Sequence, residues 1–147
     1  MPALINIPMP PSSNNMYATV KSRGRMIRVK SAGMRSWEVE FRAWALVHHK
    51  DLSIARSWVS GRVFSGDAIR LDRYFWFWPS SIVCKDGSPK KLDVTNRIKA
   101  LDDALADVLH VDDKWFFSGY VTKRAISVPT SRCEFVDVEL KDHGPVT

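Results

Sequence analysis

The sequence predicts a two-layer α+β domain in which a mixed β-sheet packs against two main helices. Segments with a strand-like period of two are interspersed with segments of helical period, the order expected of an α+β sheet rather than of separate all-α and all-β units. The 147 residues suit one domain spanning 1–147, with its packed part at about 3–140 and a C-terminal tail at 141–147. A hydrophobic share of 45% and a charged share of 26% are the balance of a chain that folds around a core.

The first apolar run, Ala3 to Met9, reads as a strand, ended by the turn-forming cluster Pro10-Pro11-Ser12-Ser13-Asn14-Asn15. Arg25 to Lys30 alternates basic and apolar residues, the pattern of a short strand with one solvated face. Ser31 suits the N-cap of a helix reaching about Lys50, because Trp37, Phe41, Trp44 and Val47 or His48 recur every three to four residues. From Ala68 to Trp78, Tyr74, Trp76 and Trp78 fall on one side of an extended chain and Phe75 and Phe77 on the other. That strand is covered on both faces or meets another subunit. Pro79 to Lys91 is rich in Pro, Gly, Ser and Lys and reads as a loop. A second helix runs from about Val94 to Leu109. Two strands follow, near Phe117 to Ile126 and Arg132 to Leu140, joined as a hairpin through a turn containing Pro129.

Composition removes several function classes. No apolar stretch approaches the roughly 18 residues of a membrane span, and the N-terminus lacks the pattern of a secretory signal. Cys84 and Cys133 form neither a disulfide framework nor a Cys-x-x-Cys metal pair, so reduced thiols and a cytoplasmic location are expected. No phosphate-binding Gly-x-x-x-x-Gly-Lys-Ser/Thr loop occurs, so no nucleotide cofactor is expected. His48, His49 and His110 sit near helix ends, where a cation complements the helix dipole, and no pair of them has ligand spacing. The net charge of +6 favours a polyanionic partner. Arg23, Arg25, Arg28 and Lys30 form a basic arm, and Lys85, Lys90 and Lys91 lie in the loop before the second helix. Both groups read as phosphate-contacting surface or as plain solubilising charge, with Asn15 and the loop residue Tyr17 beside the arm.

The second helix carries the chemistry. At ~100° per residue, Val94, Ile98, Leu101, Leu105 and Val108 fall on one side as a core-facing stripe. Asn96, Lys99 and Asp103 fall together on the opposite side. Asp93 stands where a side-chain oxygen can cap the first turn, and Asp112-Asp113 follow the helix beside Trp115, Phe116 and Phe117. On spacing alone these residues read first as a cap, a solvated face and a turn, since carboxylates are commonplace on helix surfaces.

A family pattern runs through them. Pro10-Pro11-Ser12, Asn15, Tyr17, Gly24-Arg25 and Ser31 follow the first strand. Asp93-x-x-Asn96-x-x-Lys99-Ala100 then leads to Asp103-Ala104-Leu105 and to Asp112-Asp113. In that order and at those separations, from about Ile5 to Leu140, the chain resembles the RusA family of Holliday junction resolvases. The resemblance implies Mg²⁺-dependent cleavage (Mn²⁺ as a substitute) of branched DNA, in particular the four-way junction, by a homodimer. It also implies a bacterial, phage or prophage origin. Asp93 and Asp113 are then the metal-binding and catalytic carboxylates, Asp112 a further ligand beside them, and Lys99 the essential lysine. Asn96, Thr95 and Asp103 stand in support, Asp103 as an i, i+4 ion-pair partner that orients Lys99. The family pattern reads Asp-x-Asp-Asn where this chain has Asp93-Val94-Thr95-Asn96, so a neutral hydroxyl replaces a carboxylate. Asp112, Asp103 or, more remotely, Asp72 is the acid that can compensate. The alternative is a junction-binding module on the same scaffold that cuts weakly or not at all, and a basic structural protein whose acids are merely caps is the rival outside that class.

Overall fold

β1 (Ala3–Pro8) fits its sequence to the core through a bulge. Asn6 adopts φ 55°, the ladder register shifts between Leu4 and Ile7, and both of those side chains are buried although they stand an odd three positions apart. The computed structural model describes residues 1–12, 17–92, 94–127 and 133–147. It places β1 at one edge of a mixed sheet, antiparallel to β7 (Phe135–Pro145), which in turn lies antiparallel to β4 (Asp67–Phe77). β5 (Phe116–Ser118) and β6 (Val121–Ala125) follow one another along the far edge of β4, both parallel to it.

α1 (Ala32–Val47), α2 (His49–Phe64) and α4 (Thr95–Val108) cover one face of the sheet, with a short α3 (Pro79–Ile82) between β4 and α4. Leu71, Phe75 and Phe77 of β4 and Val136, Val138 and Leu140 of β7 meet Phe41, Leu52, Leu101 and Leu105 in one core. The alternate residues of β4, Arg70, Asp72, Tyr74 and Trp76, point to the other face, as a period of two requires. This is the two-layer α+β fold with a mixed sheet.

The aromatic stripe of α1 behaves as its spacing requires. The Ser31 side chain accepts a hydrogen bond from Met34 N at 3.1 Å, and Trp37, Phe41 and Trp44 are buried. Trp37 Nε1 donates to the carbonyl of Pro8 at 2.9 Å and Trp44 Nε1 to that of Ile5 at 2.8 Å, so the stripe fastens α1 along β1.

Four expectations are corrected. A third long helix, α2, follows α1 after a break at His48; its buried set, Leu52, Ala55 and Val59, is too sparse and small to announce a helix. β2 (Tyr17–Ser22) precedes β3 (Arg25–Lys30) in a separate two-stranded ribbon, so Tyr17 opens a strand rather than lying in a loop. The last two strands do not form a hairpin. β7 buries Val136, Val138 and Leu140 and takes partners on both edges, β1 and β4, while exposed β6 lies across β4 from it. β7 also runs to Pro145, pairing Pro145 with Asp67, where a tail was expected after Leu140.

Candidate functional site

α4 is built as an amphipathic wall. Ala100, Leu101, Leu105 and Ala106 are buried, while Asn96, Lys99, Asp103 and Asp107 are exposed along the outer side. Asp107 extends the polar row by one turn and was not singled out by sequence reasoning. The C-terminal end of α4 is met by Arg56 of α2, whose Nε donates to the carbonyl of Val108 at 2.5 Å. A guanidinium there pairs an otherwise open carbonyl and complements the helix dipole. At the other end, Arg97 reaches back 87 residues to donate from Nη1 to the carbonyl of Pro10 at 2.6 Å, and its guanidinium stacks 5.6 Å from the Phe77 ring centre. The first turn of α4 and the Pro10-Pro11 segment are thereby joined. Burial depresses the Arg97 pKa, opposed by the charge of Glu134.

Beneath α4 lies an ion pair that the sequence did not announce. Arg73 of β4, almost fully buried, donates from Nε and Nη2 to the two carboxylate oxygens of Asp102 at 2.9 and 2.7 Å, and from Nη1 to the Leu71 carbonyl at 3.1 Å. Burial raises the pKa of Asp102. The Arg73 hydrogen bonds and charge oppose that shift, and the nearby carboxylates of Asp103 and Asp113 add to it. Asp102, Asp103 and Asp113 therefore share one local field.

Asp113 opens a 3-10 turn (Asp113–Trp115) that packs against α4. Asp112 caps that turn, accepting from Lys114 N at 3.0 Å, and that bond lowers its pKa. Asp112 lines a second groove with Arg56, His110 and Trp115, on the α2 side of α4. Trp115 is half-buried against the core rather than free for stacking.

Asp93 and Asn15 lie outside the described residues, and with Asp93 goes the proposed Asp93–Asp113 carboxylate pair. Among the described residues no cluster of three His, Cys, Asp or Glu side chains stands close enough to hold a metal. The expected Lys99–Asp103 ion pair does not form. Asp103 instead lines a groove of about 350 Å³ between α1 and α4, together with Tyr17, Lys30, Arg42 and Asp107. Asp72 is excluded as a compensating acid. It is 1% exposed and fully committed, accepting two hydrogen bonds from Arg70 at 2.9 Å, one from Tyr120 N at 3.0 Å and a Lys141 ammonium at 2.9 Å. Lys90 Nζ donates to the Ser80 carbonyl at 2.6 Å, and Lys91 is exposed. Arg23 and Gly24, at φ 50° and 78°, form the two-residue turn between β2 and β3, and Arg25 and Arg28 are exposed on the strand that follows.

Compared with known proteins, the chain matches no family model, no curated protein and no solved structure.

Proposed function

We propose that this chain is a Mg²⁺-dependent endonuclease of the RusA type that nicks branched DNA as a homodimer. The observation that carries the reading is the meeting of motif parts far apart in sequence. Arg97 links the Pro10-Pro11 segment to the turn of α4 from which Asn96 and Lys99 project, and the charge of Asp113 acts on Asp102 of the same helix. The donor set fits the metal in kind. Asp113 and Asp93 would hold it, and Mg²⁺ needs only one or two carboxylates when waters and substrate phosphate complete its oxygen shell. When bound, the ion supplies an activated water and neutralises charge on the phosphate. The exposed ammonium of Lys99 brings a positive charge to the oxyanion that develops as the phosphodiester opens. A four-way junction has pseudo-two-fold symmetry, so two copies related by a two-fold axis suit paired nicks.

Thr95 favours a second reading, a junction-binding module that cuts weakly, because a hydroxyl brings no charge to a metal. Incubating the protein with a labelled four-way junction and with a linear duplex, with and without Mg²⁺, tests both. Paired nicks in the junction alone and only with metal are expected. Junction binding with no cutting in Mg²⁺ or Mn²⁺ gives the second reading the better account.

A further inference from the structure

The ribbon of β2 and β3 has two unlike faces. Residues paired directly across an antiparallel ladder project to the same side. The register Tyr17↔Lys30, Thr19↔Arg28 and Lys21↔Met26 therefore sets Lys21, Arg28 and Lys30 on one face, and Ala18, Val20, Ile27 and Val29 share the other. From Tyr17 to Lys30 the sequence holds five cations and no acid.

At the base of the ribbon the cationic face meets the body of the domain. Tyr17 and Lys30 line the groove between α1 and α4, with Arg42 of α1 beside them and Asp103 and Asp107 of α4 opposite. Two bonds hold the base of the ribbon there. Lys30 Nζ pairs with Glu38 Oε1 at 2.5 Å, and Arg35 Nη1 donates to the Lys30 carbonyl at 2.8 Å. Lys30 and Glu38 thereby neutralise each other, and Arg42 of α1 makes no ion pair among the described residues. The guanidinium of Arg28 lies 4.2 Å over the Tyr17 ring. Lys21, nearer the turn, makes no ion pair among the described residues. The groove thus carries Lys30, Glu38 and Arg42 on its ribbon and α1 side and Asp103 and Asp107 on its α4 side, while Lys21 and Arg28 continue the cationic face of the ribbon beyond it.

We propose that the cationic face of the ribbon and the groove beside it form one channel gripping the sugar–phosphate backbone of DNA, with Lys21 and Arg28 as its ribbon cations, Arg42 on its α1 side and Lys30 held at the base by Glu38. The inference rests on the nuclease reading for what lies along α4, and adds the path by which a strand comes to lie against that helix. Same-face residues of a strand repeat every ~6.8 Å, so Arg28 of β3 and Lys21 of β2 present their cations on one side of the ribbon. Guanidinium groups match phosphate with two donors at once, and the Tyr17 ring offers an unpaired base a stacking face. The acidic wall repels the same backbone and keeps it against the ribbon. Lys21 and Arg42 enter the set only through the structure, because the first lies on the unread strand β2 and the second on the outer side of a helix noted for its buried stripe.

The test is fluorescence anisotropy of a labelled four-way junction in EDTA, so that nothing is cut, titrated across a range of salt. Lys21→Gln, Arg28→Gln and Arg42→Gln are compared with the wild-type protein and with Lys50→Gln, a change of equal charge on α2. Each channel variant is expected to weaken binding several-fold and to flatten the slope of log K against log salt by ~0.9. Lys50→Gln should leave the slope unchanged. Arg28→Lys retains the charge and should retain the slope, which separates phosphate contact from damage to the ribbon. Unchanged slopes in all three channel variants, an equal drop in Lys50→Gln, or displacement of DNA by polyglutamate as readily as by unlabelled junction would each overturn the proposal. Failure of the nuclease reading looks different: salt-dependent binding through these residues with no cutting in Mg²⁺ leaves the channel standing.

Discussion

Replacing Asp72 with alanine should cost the fold about 3 kcal/mol at neutral pH and much less in acid. Asp72 is 1% exposed and gathers charged or polar donors from three elements: Arg70 on its own strand, Lys141 on β7 and the Tyr120 amide at the β5–β6 junction. Each hydrogen bond to a charged group contributes about 1.5–3 kcal/mol when its partner is buried. Arg70 and Lys141 keep 32% and 29% of their side-chain exposure and rehydrate when the carboxylate is gone, so the sum must be discounted to about 3 kcal/mol. In urea unfolding, with a slope on the order of 2 kcal/mol per molar for a domain of this size, the midpoint falls by about 1.5 M. The Arg70 hydrogen bonds, chiefly, with those of Lys141 and Tyr120, hold the Asp72 pKa well below its ordinary 3.8. The unfolded chain therefore takes up a proton at a pH where the folded one does not, so this stability is full above about 3.8 and drains away below it. The gap between wild-type and Asp72→Ala should accordingly narrow as the pH is lowered from about 6 to about 3. A gap below about 1 kcal/mol at neutral pH, or one that stays constant down to acid, would refute the assignment of Asp72 to a charged structural junction.

Gly119→Ala should prevent the β5–β6 edge from closing, since at φ 153° an added Cβ would stand 1.6 Å from the Leu71 carbonyl oxygen; loss of the cooperative thermal transition, or a fall of several degrees in its midpoint, checks it. Asp113→Asn should abolish Mg²⁺-dependent cutting of a four-way junction while its affinity, read by gel shift in EDTA, is kept or improved, because a negative charge near phosphate is removed; loss of binding together with cutting would assign Asp113 to binding. Thr95→Asp would supply the acid of the RusA pattern that the chain resembles, at the first position of α4, where the helix dipole favours negative charge by ~0.3–1 kcal/mol. If Thr95 weakens a metal site, the Mg²⁺ concentration for half-maximal cleavage should fall in this variant, and an unchanged requirement would show that another acid already fills the place.

What was legible in the sequence was whatever a single period could carry. Trp37, Phe41 and Trp44 marked α1 and its capping Ser31, and Leu101 and Leu105 marked the buried side of α4, because large side chains at helical spacing have one economical place to go. The polar row of Asn96, Lys99 and Asp103 followed from the same geometry. Long-range pairing was not legible. β6 and β7 are neighbours in sequence, and nothing in their patterns tells that β7 takes strand partners along both edges, one of them the N-terminal strand. The Arg73–Asp102 pair was hidden for a related reason, since an arginine in an aromatic strand and a second aspartate in a helix carry no spacing that links them across 29 residues. The ribbon was half-seen, as β3 alone, because β2 mixes Thr, Ser and Lys into its alternation and presents no buried face.

The concealed pair bears on how the candidate site keeps its shape. Asp103 and Asp107 stand on α4, and α4 is held at three places through arginines: its own Arg97 toward Pro10 at its start, Arg73 of β4 through Asp102 at its middle and Arg56 of α2 at the Val108 carbonyl. Only the first of these comes from α4 itself. A helix fixed at start, middle and end has little freedom to roll or slide, so its outer row meets the ribbon wall at a set separation. Pre-set separation matters for a site that acts on a stiff, highly charged substrate, because ordering the protein at the moment of binding would subtract from the affinity that phosphate contacts provide. Three arginines committed to backbone carbonyls and a carboxylate also cannot serve as phosphate contacts. The basic charge available to DNA is therefore smaller than the net +6 suggests, and it is concentrated where the ribbon carries cations with no acid among them.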